Sequence, residues 1–170
     1  MDTLERDVDL TEIINGEEVV GPSPFDKHQM TSSNLNYIIH HYVKTKGLGR
    51  VYYSPFDVIF EEGINRFQPD ILFIRKENMG IVRGWVRGVP DMVCEIVSPW
   101  SYERDTEVKM AVYEKYRVPE YWIVMPELKE IRILTIEDAK YKLHSIAVIE
   151  GTVSSKIIEG LQVNLKDIFE

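Results

Sequence analysis

A glutamate in the middle of an apolar run, Glu95, is the feature that most constrains how this chain folds. The six residues 92–97, MVCEIV, have the length and the apolar content of a buried β-strand. Burying an unpaired carboxylate costs free energy or forces the group to take up a proton. A metal ion or a lysine beside Glu95 would compensate for this cost. The structural alternative is a glutamate held in a salt bridge or placed at a strand end.

A second carboxylate, Asp70, favours the metal interpretation of Glu95. Asp70 follows Pro69 directly and opens another short apolar strand. Two carboxylates at neighbouring strand starts or centres offer a divalent cation the hard oxygen ligands that it prefers. The alternative is that Asp70 only closes a Pro-Asp turn. Asp91 stands in a second Pro-Asp pair and is the weaker candidate for the same reason.

A lysine on a predicted helix is the third candidate. Helical spacing places Lys109 on one face with three tyrosines, Tyr102, Tyr113 and Tyr116. A lysine that extends along a solvated face is the ordinary explanation. Pointed at Glu95, however, Lys109 would neutralise the site and stabilise negative charge in a transition state. An ion pair with Asp105, four residues earlier, is a structural role that competes with both.

The predicted loop 75–90, RKENMGIVRGWVRGVP, combines positive charge with an aromatic residue. Its net charge is +3, and Trp85 lies within it, with Trp100 nearby. Such a mixture suits a nucleic-acid backbone and its bases, and it makes Arg83 and Arg87 candidate contacts. A solvated basic hairpin is the structural alternative.

Periodicity and turn residues predict a single α+β domain over residues 25–170, preceded by an acidic leader, 1–24. Helices are expected at 26–46 and about 102–116, and packing mainly on one face of the sheet. The tail should add a closing strand and one helical turn. The predicted strands are 50–60, 71–74, 92–98, 121–125, 130–135 and 141–147.

The charge distribution leaves room for a polyanionic partner. The net charge of the chain is −8. Residues 1–24 carry seven acids and one base, so the remaining 146 residues have a net charge of only −2. Cys94 has no partner for an internal disulfide, no apolar run is long enough for a membrane helix, and the start lacks the features of a signal peptide. These features predict a cytoplasmic protein with no membrane partner.

The order of four motifs resembles the Uma-two family of bacterial restriction-endonuclease-like proteins. The motifs are QPD (68–70), PDMVCEIVSP (90–99), ERD with its following lysine and tyrosine (103–113), and VPEYWIVMP (118–126). The likeness extends to the early helix and to the tail, so it covers most of residues 25–170. The family is assigned to the PD-(D/E)XK nuclease superfamily. The resemblance implies a restriction-endonuclease-like core, a central mixed β-sheet flanked by helices, and cleavage of phosphodiesters with Mg²⁺ or Mn²⁺.

The resemblance also implies roles for single residues. Asp70 matches the superfamily's motif aspartate, and Glu95 matches the acid of the second half-motif. The superfamily lysine should stand at position 97, where this chain has Val97, and Lys109 matches the replacement used by the family. Asp70, Glu95 and the backbone carbonyl of Ile96 would bind the metal, with Lys109 beside the reacting phosphate. Val97 places the efficiency of catalysis in question.

Two functions follow as hypotheses. The first is a metal-dependent endonuclease that acts on DNA as a homodimer or higher homo-oligomer, with Arg83 and Arg87 positioning the strand. The second is a weakly active or inactive nuclease-fold module that binds nucleic acid or a protein partner. Convergence of Asp70, Glu95 and Lys109 on one point would favour the first.

Overall fold

The computed structural model describes residues 9–21 and 23–170, so residues 1–8 of the acidic leader and Pro22 lie outside the described residues. The strands are β1 (Thr11–Ile14), β2 (Glu17–Val20), β3 (Gly49–Tyr53), β4 (Val58–Glu61), β5 (Asn65–Phe67), β6 (Ile71–Arg75), β7 (Val82–Arg83), β8 (Trp85–Arg87), β9 (Met92–Ile96), β10 (Glu120–Met125), β11 (Glu130–Glu137), β12 (Lys140–Val148), β13 (Thr152–Ser154) and β14 (Gln162–Asn164).

The helices fall into one long element and several short ones. They are α1 (Asp26–Lys46), a 3₁₀-helix (Lys76–Ile81), a π-helix (Arg104–Lys109), α2 (Met110–Lys115), a second 3₁₀-helix (Pro126–Leu128) and α3 (Lys166–Phe169). The π-helix runs directly into α2, so the two form the second predicted helix. Within residues 9–21 and 23–170, no helix has the length and apolar content that crossing a membrane requires.

The main sheet is mixed and has six strands in the order β12-β11-β10-β9-β6-β3. Strands β9 and β10 run parallel, and every other neighbouring pair in this sheet is antiparallel. The parallel pair is possible because the second helix forms the crossover between β9 and β10. Strand β9, which carries Glu95, therefore lies inside the sheet, and the predicted central mixed sheet is confirmed.

Both faces of the main sheet are covered, and this makes one prediction wrong. Helix α1 packs on one face through Leu35, Ile39 and Val43. The second helix packs on the opposite face through Val112 and Tyr113. We expected the helices mainly on one face, but β6, β9 and β10 are buried on both sides. Strands of this kind need cover on each face.

Helix α1 has the predicted bounds, and its sequence explains them. Its buried side chains recur every four residues and form one stripe, Thr31, Leu35, Ile39 and Val43. The helix ends at Gly47, which adopts the left-handed conformation with φ 65°. The N–H of Gly47 donates a hydrogen bond to the carbonyl oxygen of Lys44. The first turn of α1 faces the edge of the main sheet where β6 begins and β9 ends.

The prediction of one strand over residues 50–60 is wrong. The chain forms two strands in this region, β3 and β4, and they belong to different sheets. Strand β3 pairs with β6 in the main sheet, whereas β4 pairs with β5 and β8 in the second sheet. Pro55 lies between the two strands and has no N–H to donate, so it interrupts the ladder. The predicted segment 75–90 contains the first 3₁₀-helix and the β7–β8 hairpin.

The second sheet contains the described part of the acidic leader. Its strand order is β2-β1-β5-β4-β8-β7. Strands β1 and β2 form an antiparallel hairpin, and Ile13 of β1 pairs with Arg66 of β5. Residues 11–20 of the leader therefore form the hairpin at one side of this sheet. Ile14 is buried among the residues of the core between the two sheets.

Candidate active site

Asp70 and Glu95 lie at the end of the main sheet where strand β6 begins and strand β9 ends. Ile71 pairs with Cys94, so Asp70 and Glu95 occupy the next position along the same two strands. The Asp70 carboxylate accepts a hydrogen bond from the N–H of Ile96 at 2.7 Å. Two carboxylates and the backbone of Ile96 are thus brought together, as the sequence predicts.

Lys109 completes the predicted trio. Its Nζ lies 3.1 Å from Oε1 of Glu95, and the residue is only 2 % exposed. The interpretation as a lysine on a solvated face is therefore wrong. The π-helix brings Lys109 inward, over the face of the sheet that Glu95 shares with Val93 and Val97. π-Helical turns of this kind are frequent at functional sites.

Tyr113 is a further partner of Glu95. Its hydroxyl donates a hydrogen bond to Oε1 of Glu95 at 2.5 Å, and the side chain is fully buried. The same oxygen therefore faces both the Lys109 ammonium and the Tyr113 hydroxyl. Sequence analysis placed Tyr113 on the face of Lys109 but gave it no role. The spacing of four residues between them was the signal that could have assigned one.

Glu12 is a site residue that sequence analysis missed. Its Oε1 lies 2.8 Å from Nζ of Lys109 and accepts the N–H of Gln68 at 2.7 Å. The residue belongs to β1, in the leader that the charge count set apart from the domain. The available signal was faint: one acid beside Ile13 and Ile14 in a strongly acidic segment. Its partner stands 97 residues further along the chain.

His28 is the second residue that sequence analysis missed. Its Nε2 lies 3.3 Å from Oδ1 of Asp70, and its Nδ1 is buried with no hydrogen-bond partner among residues 9–21 and 23–170. Burial lowers the pKa of His28, but the hydrogen bond and charge of Asp70 outweigh it, so this pKa lies above its ordinary value. The backbone of Ile96 adds to that increase. The position in the first turn of α1 was the only signal in the sequence.

Asp105 adds a third carboxylate around Lys109. It is 3 % exposed, and Arg104 Nε lies 3.4 Å from its Oδ1. Burial raises the pKa of Asp105, although the charge of Lys109 lowers it in part. The ion pair expected between Asp105 and Lys109 does not form: Asp105 pairs with Arg104, whereas Lys109 contacts Glu12 and Glu95.

The site holds more acid than base, and the pKa shifts reflect this imbalance. Burial raises the pKa of Glu95 well above its ordinary value, against the opposing effect of Lys109. Burial also disfavours the ammonium form of Lys109, but the charges of Glu95 and Glu12 raise its pKa overall. Lys109 is therefore held as an ammonium among carboxyl groups, and burial opposes the ionisation of Glu95.

The remaining candidates lie elsewhere. Asp91 accepts hydrogen bonds from the Arg75 N–H at 2.8 Å and from Asn78 at 3.0 Å, as expected of a structural aspartate. Arg87 pairs with Glu62 at 3.0 Å, and Arg83 donates to the carbonyl of Gly80. Neither arginine lines the cleft described next, so the structure does not bring them to the trio.

Asp70, Glu95 and Lys109 line a cleft of about 570 Å³, bounded by the first turns of α1, the end of β3 and the turn after β9. Ile96, His28 and Glu12 line it as well. Within residues 9–21 and 23–170, no three His, Cys, Asp or Glu side chains form a compact cluster suited to a metal ion. The donors present at this point are two carboxylates and the Ile96 backbone.

Solved structures resemble this fold, and one of them does so over almost the whole chain. It is the crystal structure of a protein from Anabaena variabilis described as "a putative nuclease belonging to DUF820". The two chains share 18 % identity with a TM-score of 0.75, over 94 % of this chain and 89 % of the other. At this identity the likeness establishes the fold. Among the curated proteins, none matches this chain.

The sequence itself matches a family model over nearly its full length. The model is Uma2, described as "Putative restriction endonuclease", and it matches residues 2–166. The match includes the leader, with Glu12, as well as His28, Asp70, Glu95 and Lys109. This chain belongs to the Uma2 family.

Proposed function

We propose that this protein is a metal-dependent endonuclease that hydrolyses phosphodiester bonds of DNA. The observation that carries the proposal is the convergence of Asp70, Glu95 and Lys109 at the base of one cleft, with Lys109 Nζ 3.1 Å from Glu95. Membership of the Uma2 family supports it. Paired carboxylates next to a buried lysine suit a reaction in which a phosphate gains negative charge.

The donor set at the site fits Mg²⁺ or Mn²⁺. Asp70, Glu95 and the carbonyl of Ile96 would hold the ion through hard oxygen ligands. The excess of carboxyl groups over Lys109 leaves a deficit of positive charge that a divalent cation would supply. When bound, such an ion provides a Lewis acid that lowers the pKa of a water molecule and polarises the phosphate.

The residues of the chain have separate tasks in this proposal. Lys109 stabilises the charge that develops on the phosphate oxygens. The Tyr113 hydroxyl donates to Oε1 of Glu95 and so orients that carboxylate. Glu12 holds the Lys109 ammonium from the opposite side at 2.8 Å. His28 holds Asp70 in place from the first turn of α1, 3.3 Å from its carboxylate.

The test is metal binding and DNA cleavage measured together. Calorimetric titrations with Mg²⁺ and Mn²⁺ compare the wild type with Asp70→Asn and Glu95→Gln, which retain the shape of each side chain but remove its charge. Plasmid cleavage is followed in the same buffers. Asp91→Asn is the matched control, since Asp91 is a buried aspartate outside the cleft.

We expect the wild type to bind metal and to nick the plasmid only with metal, and both site variants to lose binding and cleavage. The Asp91→Asn control should retain the affinity for metal. No binding at millimolar metal, with no cleavage, would instead support the alternative, a nuclease-fold module that binds nucleic acid or a protein partner. Arg83→Ala and Arg87→Ala test the predicted strand contacts, and sedimentation tests the homodimer, which stays a prediction.

A further inference from the structure

Three exposed aromatic side chains line the cleft of the proposed active site. Phe25 is 60 % exposed, Tyr53 is 62 % exposed and Trp100 is 78 % exposed, and all three contribute to the wall of the cleft. Large aromatic side chains usually bury most of their surface, so three exposed ones around a single cleft indicate a surface that meets a ligand.

Each aromatic residue lies on or next to an element that carries a site residue or pairs with one. Phe25 directly precedes α1, three residues before His28. Tyr53 ends β3 and pairs with Ile71, the neighbour of Asp70. The three rings are thus tied to the geometry of the reacting groups.

Trp100 is held outward by a tight turn at the end of β9. The N–H of Ser101 donates to the carbonyl of Ser98 at 3.1 Å, and the N–H of Ser98 donates to the Ser101 hydroxyl at 3.0 Å. Ser101 is buried, whereas Trp100 projects into solvent five residues after Glu95. The turn therefore presents the indole as a fixed platform.

The charge of the cleft does not suit a ligand held by many phosphate contacts. Of its lining side chains, the acids are Glu12, Asp70, Glu95 and Asp105, and the bases are His28, Arg104 and Lys109. Lys109 is already paired with two of these acids. Affinity for a nucleic acid must come mainly from contacts with its bases. Stacking on aromatic rings provides such affinity and tolerates any base.

The wall of α1 offers a polar contact as well. Asn36 lines the cleft, and its Oδ1 is buried with no hydrogen-bond partner among the part of the chain that the structure describes. The amide side chain of Asn36 carries both donor and acceptor groups that suit the hydrogen-bonding edge of an extruded base, including the N3–H of thymine and uracil. The hydrogen-bonding edge of a base is free in an unpaired nucleotide, whereas in a base pair the partner base occupies it.

The depth of the cleft also favours a single strand over a duplex. Glu95 is 4 % exposed and Lys109 is 2 % exposed, so a phosphate reaches them only by descending between the aromatic residues. A single strand can bend its backbone into such a cleft and turn its bases onto the walls. A duplex keeps its bases stacked on one another and leaves the rings of Phe25 and Trp100 in water.

We propose that the cleft takes an unpaired nucleic-acid strand whose bases stack on Trp100, Phe25 and Tyr53 while its phosphate reaches Lys109. This inference rests on the proposed nuclease function and names its substrate class. The preferred substrate is a single strand, or an unpaired stretch within a duplex, in place of intact duplex DNA.

The test is binding in Ca²⁺ buffer, which supplies a divalent ion in place of Mg²⁺, with the full chain. A thymidine strand of about 12 nucleotides, its uridine RNA counterpart and a DNA duplex of equal length are compared by the anisotropy of a dye attached to the nucleic acid, with tryptophan fluorescence followed in parallel for the wild type. Trp100→Ala removes the proposed platform. Trp85→Ala is the matched control, because Trp85 is partly exposed in β8 and does not line the cleft.

We expect the single strand to bind at least about tenfold more tightly than the duplex and to quench the fluorescence of Trp100. Trp100→Ala should weaken this binding by about tenfold, whereas Trp85→Ala should leave it unchanged. Raising the salt from about 50 to about 200 mM should cost less than about tenfold in affinity, since few phosphates are neutralised. The two single strands distinguish DNA from RNA as the source of the unpaired nucleotides.

Equal or tighter binding of the duplex, or an unchanged affinity in Trp100→Ala, would overturn the inference. Cleavage in Mg²⁺ separates this failure from that of the proposed function. Cleavage of duplex plasmid without single-strand preference would sustain the nuclease and reject the stacking cleft. Binding that depends on Trp100, with no cleavage of any strand, would sustain the cleft and reject the nuclease.

Discussion

Lys109 carries its ammonium group into a space that carboxyl groups from three parts of the chain share. Glu12 arrives from the N-terminal hairpin, Glu95 from the central strand and Asp105 from the π-helix. At the scale of single residues, each carboxylate is tolerated in the interior because the lysine partly neutralises it. The arrangement also works in reverse, since the acids hold the lysine in its charged form.

Removing the charge of Lys109 should therefore destabilise the metal-free protein. We expect Lys109→Met to lower the free energy of unfolding at neutral pH by about 3 kcal/mol, because buried carboxylates lose their partner. The loss should shrink at lower pH, where protonation neutralises the acids. Urea unfolding followed by circular dichroism measures both.

Lys140→Met is the control for the Lys109 variant. Lys140 pairs with Glu114 at 2.7 Å but remains 75 % exposed, so its loss should have little effect on unfolding. Equal stability of Lys109→Met and the wild type would mean that the surrounding carboxyl groups are already neutral in the native protein.

Metal binding should depend on pH through Glu95. Burial raises the pKa of Glu95, so a cation competes with a proton for this carboxylate up to a higher pH than it would at an exposed glutamate. The affinity for Mg²⁺ should rise as the pH rises through that elevated pKa, and binding should release protons. Calorimetry in buffers of different ionisation enthalpy counts the protons released. A pH-independent affinity would show that Glu95 is charged before the metal arrives.

Strand β1 has an importance that its length does not suggest. It has only four residues, yet its Glu12 contacts both Lys109 and the N–H of Gln68. At the scale of elements, the hairpin therefore ties the second sheet to the helix that covers the main sheet. The site is built at the junction of these layers.

Neutralising this contact should weaken the junction. We expect Glu12→Gln to lower the free energy of unfolding by about 1–2 kcal/mol, because a charge-assisted hydrogen bond to Lys109 becomes a neutral one. Urea unfolding measures this change. Glu18→Gln in the same hairpin is the matched control, since Glu18 is exposed and should be replaceable without loss. If both substitutions changed the free energy of unfolding equally, Glu12 would contribute no more to stability than an exposed glutamate does.

At the scale of the whole molecule, the buried main sheet isolates its central strands from solvent. Cys94 on β9 is fully buried beneath α1, and burial raises the pKa of its thiol well above the ordinary value. Both effects suppress the reactive thiolate. Reagents reach this residue only when the sheet opens.

Labelling of Cys94 should therefore report global unfolding. We expect a thiol reagent to leave the native protein unmodified and to react in step with the unfolding transition in urea. Mass spectrometry of samples quenched at increasing urea measures the labelled fraction. Labelling well below the transition would reveal local opening of the main sheet.

The sequence predicted the parts of the site whose signals are local. Glu95 stood out because its own strand is apolar, and Asp70 because it opens the neighbouring one. Lys109 followed from its place on a helix face and from the family resemblance. The length of α1 was predictable because its apolar stripe and its Gly47 cap are contiguous in sequence.

The parts that escaped prediction depend on contacts between distant segments. Glu12 and His28 are ordinary residues in their own surroundings, and only the folded chain brings them to Lys109 and Asp70. The opposite placement of the two main helices escaped for a similar reason. It follows from burial on both faces of β9 and β10, which periodicity alone does not distinguish from one-sided packing.

The contact between Glu12 and Lys109 has a consequence for synthesis in the cell. The two residues are 97 positions apart, so a ribosome adds Lys109 about 5–20 s after Glu12. In the last part of this interval, once Glu95 has been added, the nascent chain contains both carboxylates of the trio but lacks the lysine that faces them. While the chain is still attached to the ribosome, close to its messenger RNA, the proposed active site therefore lacks Lys109. The site of the proposed nuclease can be complete only after the second helix has been synthesised.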